Sequence, residues 1–142
     1  MARWFMSVKK IKNKKLIWGW LRKAEDDLSF AKMAFKETEF YDHVCFLSQQ
    51  AVEKYLQTVI VASRGELQTK ERTHNLIYLA GLCKKQGIDL SDFEEHLRKL
   101  TEAYIPARYP ANGYTKFNKK DAKECLEIAQ GVIQFIKDKI RL

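Results

Sequence analysis

Two prolines and six glycines in 142 residues leave little of the turn chemistry that a many-stranded sheet consumes. Helices are therefore favoured. No apolar run approaches the ~20 residues that a membrane-spanning helix needs. The N-terminus is basic but is not followed by the apolar core of a signal peptide, so export and membrane insertion are not expected. Only three cysteines occur, Cys45, Cys83 and Cys125, far apart and with no CxxC pair. An odd, scattered set of this kind reads as reduced thiols in a core, neither a disulfide framework nor a metal site, and a cytoplasmic protein is the matching expectation. A glycine-rich phosphate loop, an HExxH helix and a GxSxG elbow are all missing. No cofactor or metal site is expected.

Acidic residues are missing from one region. Residues 1–15 hold Arg3 and five lysines with no acid, so +6 of the net charge of +8 lies there. The remainder is close to neutral. Such an arm can touch a phosphate backbone or simply keep the chain soluble, and its composition does not choose between these. The organisation expected is a basic tail over 1–15 and one helical domain over 16–142, a length that can bury a core.

What remains is helical periodicity, with charged residues at 31% and hydrophobic residues at 46%. Five segments carry it. The first runs from about Leu16 to Glu37, with Trp18, Leu21, Ala24, Leu28, Ala31 and Phe35 on its inner stripe. The second, about Tyr41 to Ser63, contains "FLSQQAVEKYLQTVI". Its apolar positions share a face, while Gln49, Gln50, Glu53, Lys54 and Gln57 fill another, at ~3.6 residues per turn. Gly65 closes it. A third, about His74 to Gln86, is capped by Thr73 and ended by Gly87. The fourth is expected just after Ser91, because "SDFE" has capping-box spacing, and to stop at Pro106. Asn118 with Asp121 caps the last, whose buried face runs from Ala122 to Ile140. The fold expected is all-α: an antiparallel up-and-down bundle of four to five helices, with the second and fifth central. Aromatic residues beyond one stripe (Trp18, Trp20, Phe30, Phe40, Phe46) suggest an interface, and so a homodimer.

Chemistry has few places to sit. His43 and His96 are isolated and read as ordinary surface or structural residues. His74 opens a helix, where free N–H groups and the dipole attract anions, although a capping or packing role is the more ordinary use of such a residue. Arg108 and Tyr109 stand side by side between two prolines. Guanidinium suits bidentate phosphate contact and a phenol ring suits base stacking, but a helix-end cap and a bundle plug would use the same residues.

The ordered set "FLSQQAVEKYLQTVI", "THNLIYL" and "ARYP" before a long final helix resembles the HEPN domain family, over roughly Leu16 to Ile140. The resemblance implies a dimerising helical bundle that associates with nucleotide or RNA, often beside a separately encoded minimal nucleotidyltransferase in a toxin–antitoxin-like pair. Many such proteins are metal-independent ribonucleases whose signature is an arginine followed, about four to six residues on, by a histidine. Arg108 matches the arginine. The last histidine in the chain is His96, so the usual proton-transfer partner is absent and the reading leans against an enzyme. The resemblance implies a non-catalytic phosphate-binding site with Arg108, Tyr109, His74, Lys54 and Glu53 as its candidates. A ribonuclease toxin with a divergent active site and a purely helical interaction module stand as the alternatives.

Overall fold

The structure is a computed structural model, and it describes residues 14–108 and 116–140, with the backbone alone at Arg108. Five α-helices follow in order: α1 Lys14–Glu37, α2 Tyr41–Arg64, α3 Leu76–Lys85, α4 Glu94–Arg108 and α5 Lys119–Ile140. Among the described residues there is no strand. The fold is an all-α bundle, as the periodicity predicts.

The two 24-residue helices α1 and α2 are joined by Thr38–Phe40 alone, so they must fold back on each other. Thr38 makes the stop: its hydroxyl donates to the Ala34 carbonyl at 2.6 Å and accepts from the Phe40 N–H at 3.2 Å. The inner row of α1 is Ile17, Ala24, Leu28, Ala31 and Ala34. Three of those five are alanine, which lets the α2 backbone approach closely. Trp18 does not belong to this row: it is 57% exposed, because it lies one residue, about 100° of helix, from Ile17. Phe30 and Phe40 are likewise exposed, whereas Trp20 and Phe46 are half-buried against the core.

Helix α2 touches each of the other four, and α5 packs on α1, α2 and α4. This agrees with the central places expected for both. The amide-rich side of α2 is not a solvated face, however. Gln49 and Gln57 are buried, and each donates its side-chain N–H to a backbone carbonyl of the segment that leads to α3, His74 and Glu71 respectively, at 3.1 Å. Two turns of helix separate these staples, so they fix the connection at two points. A salt bridge from Arg64 to the buried Glu71 adds a third. Gly65, in the left-handed region at φ 91°, ends α2 with its N–H on the Val61 carbonyl.

Three expected boundaries differ. The cap of α3 is Asn75, whose side-chain oxygen accepts from the Ile77 and Tyr78 N–H groups at 3.1 Å. Thr73 instead accepts from the Asn75 N–H, one step earlier in the same turn. At the start of α4, Ser91 donates its hydroxyl to Asp89 rather than capping toward Glu94, and a short 3₁₀ turn over Ser91–Phe93 precedes the helix. Pro106 lies inside α4, which continues to Arg108. The proline lacks the N–H that would bond the Glu102 carbonyl, and Glu102 is exposed enough for water to replace it. At α5, Asn118 and Asp121 cap each other reciprocally at 2.9 Å.

All three cysteines are buried. The Cys83 thiol donates to the Leu56 carbonyl at 3.4 Å, and burial raises its pKa. Cys45 is raised by its neighbour Cys125 and by burial. All three read as packed core thiols, and Cys45 and Cys83 are held in the protonated form.

Candidate functional site

Where α2, the segment before α3 and α4 converge, three polar side chains meet. Glu53 on α2 places Oε1 2.7 Å from His74 Nδ1. The hydroxyl of Tyr104 on α4 lies 3.0 Å from His74 Nε2. The two rings are stacked, with centroids 4.1 Å apart and planes 22° apart, and Phe46 backs Tyr104 at 5.6 Å. Tyr104 is buried and Glu53 nearly so, while the His74 side chain is 54% exposed.

Each position follows from local structure. Residues 49 and 53 are one turn apart on α2, so Gln49 and Glu53 reach the same place. Gln49 holds the His74 backbone by its carbonyl, and Glu53 holds the ring. Swapping the Gln49 amide would set two carbonyl oxygens against each other, so its orientation is fixed and its Oε1 is left buried with no hydrogen-bond partner. His74 lies two residues before the first turn of α3, outside the helix.

Both contacts can be satisfied whether the ring is neutral or charged. When neutral, Nδ1–H donates to Glu53 and Nε2 accepts from the Tyr104 hydroxyl. When charged, both nitrogens donate, and Glu53 and the Tyr104 oxygen can both accept. Neither contact is lost in the change.

Of the candidates from the sequence, Glu53 and His74 are brought together. Lys54 is not with them: it points to α1, where its ammonium is 2.6 Å from Asp27, and Gln50 donates to the same carboxylate at 3.1 Å. Arg108 follows Tyr104 by one turn of α4, so its Cα lies on the side of the helix that carries the cluster. The Arg108 side chain and Tyr109 lie outside the described residues. Sequence reasoning misses Tyr104 and Gln49 as site residues. Tyr104 reads from the sequence as plain core, and the only hint of more is its place four residues before Arg108. Among the described residues no three His, Cys, Asp or Glu side chains gather as metal ligands would.

The fold and site describe an all-α bundle in which a clamped histidine contacts Tyr104, one turn before Arg108 on α4, and comparison with known sequences gives the family. The chain matches the family described as HEPN domain over residues 17–139, and it belongs to that family. It is 30% identical over 129 residues to the Methanocaldococcus jannaschii protein named "Putative toxin MJ1304", covering 83% of this chain and 84% of that one. Among solved structures it is similar to the protein TT1696 from Thermus thermophilus, with a TM-score of 0.70. It is also similar to ST0689, described as an archaeal HEPN homologue, with a TM-score of 0.66. Both are 26% identical to it, and each match covers 87% of this chain and 97% of the other.

Proposed function

We propose that the protein is a toxin-type HEPN protein that binds the phosphate of RNA or of a nucleotide beside the His74 cluster, with Arg108 as its principal contact, and that it acts with a minimal nucleotidyltransferase as its partner. The observation that carries this reading is the Glu53–His74–Tyr104 cluster one turn from Arg108. Glu53 and Tyr104 fix the half-exposed imidazole at both nitrogens as one wall of the site, and Arg108, on the same side of α4, would supply the planar fork that phosphate prefers. The name borne by the Methanocaldococcus relative is consistent with the toxin class. A second copy of the chain has an apolar surface to use, because Trp18, Phe30, Met33 and Phe40 are all more than half exposed.

One observation favours a second reading, a metal-independent ribonuclease. The Tyr104 hydroxyl on Nε2 and the Glu53 carboxylate on Nδ1 form a chain through which Tyr104 would relay a proton between His74 and substrate. In that case His74 stands in for the histidine absent after Arg108.

Fluorescence anisotropy with a short single-stranded RNA tests the binding. Arg108→Ala is expected to weaken it about tenfold or more, and Arg108→Lys to restore only part, because the charge remains without the fork. Equal binding by all three proteins would overturn the site. RNA cleavage that disappears in His74→Ala would select the ribonuclease reading, and intact RNA would leave the binding reading alone.

A further inference from the structure

A groove between α1 and α2 has a volume of about 460 Å³. Among the described residues it is lined by Lys15, Leu16, Gly19, Trp20 and Lys23 from α1 and by Lys54 and Gln57 from α2, with no acid. Its size falls within the range of small-ligand sites. Lys15, Gly19 and Lys23 succeed one another at one-turn intervals, so the two lysines stand about 12 Å apart along the helix with a gap between them. A Cβ built at Gly19 would meet nothing within 4 Å, so the gap is open space. Leu16 and Trp20 form the next row and give the groove an apolar wall. Lys54 is already held by Asp27, whereas Lys15 and Lys23 have no ion-pair partner among the described residues.

We infer that this groove is a second nucleotide subsite, in which a base stacks on Trp20 and the phosphates on either side of it meet Lys15 and Lys23. Charge and shape choose the occupant. An apolar peptide would leave two cations unpaired at the rim, and a bare phosphate would not use the indole. A nucleotide uses both, because every base has a π face and every linkage a negative charge. The inference extends the RNA-binding reading, since Glu53 and Lys54, adjacent on α2, border the two sites.

The test is a titration with a short single-stranded RNA and, separately, with ATP, read by quenching of Trp20 in a Trp4→Phe/Trp18→Phe protein. A Cβ at Gly19 meets nothing and leucine is the better helix former, so Gly19→Leu is expected to fill the groove and stay folded, which its circular dichroism and melting temperature check. Gly19→Leu and Lys23→Gln are each expected to weaken binding at least about fivefold. Weakening with RNA only assigns the subsite to a strand, and weakening with ATP as well assigns it to a free nucleotide. Unchanged binding by both variants overturns the subsite, as does a Gly19→Leu effect on oligomeric mass alone. If Arg108→Ala weakens binding and the groove variants do not, the Arg108 site stands and the subsite falls. If the groove variants alone weaken it, the subsite stands and the Arg108 site falls.

Discussion

Gln49 illustrates why single residues at this site are hard to read from the chain. In a linear pattern it is one of several polar residues on an amphipathic helix, and its neighbours Gln50 and Lys54 do face the polar side that pattern predicts. Gln49 is buried, because a carbonyl 25 residues away needs a donor. Glu53 and His74 are legible as candidates, one from the family pattern and one from its place before a helix, but their mutual contact depends on that same long-range staple. Gln49→Ala removes the donor and leaves a cavity, and it is expected to cost about 1–3 kcal/mol, measured by urea unfolding. Glu71 is a second such case. The Arg64 guanidinium and the Gln68 N–H hold its carboxyl below its ordinary value of 4.5. Its folded pKa is depressed, so its contribution is complete above about pH 4.5 and is lost as pH falls through the lower folded value. Glu71→Gln should therefore lose stability at neutral pH and show a shallower loss on acidification, followed by thermal unfolding across the acid range.

At the scale of elements the residue pattern is more informative. Five helices, the Gly65 stop and the Asn118–Asp121 cap can all be read from residue type and spacing, since those signals act within one turn. The differences occur where two local signals compete. Thr73 and Asn75 can both cap, and Asn75 takes the role because the Thr73 hydroxyl is used by the Asn75 N–H. Asn75→Ala is expected to cost about 1 kcal/mol, with a matching fall in melting temperature. The stop expected at Pro106 fails for a related reason. Proline near a helix end costs one hydrogen bond, and the solvated Glu102 carbonyl is the one that loses it. Because α4 continues, Arg108 stays on the helix, in register with Tyr104. That register links the anion-binding candidate to the histidine cluster.

For the whole molecule, the bundle brings α2 into contact with every other helix, and the two proposed sites lie on its contacts, one toward α3 and α4 and the other toward α1. The exposed rings of α1 and the α1–α2 turn lie outside both. A homodimer is expected at micromolar concentration by light scattering, with Trp18→Ser/Phe30→Ser shifting the mass to that of a monomer. A monomeric wild type would remove the interface.

The central claim is that RNA phosphate is bound beside His74, and the chain offers a direct probe because it has only three histidines. The measurement is a titration of imidazole NMR signals with a short single-stranded RNA, on wild type and Arg108→Ala. The predicted result is that the His74 resonances move on binding, that His43 and His96 stay fixed, and that the movement is lost in Arg108→Ala. RNA binding that leaves His74 unmoved, or that moves it equally without Arg108, would contradict the claim.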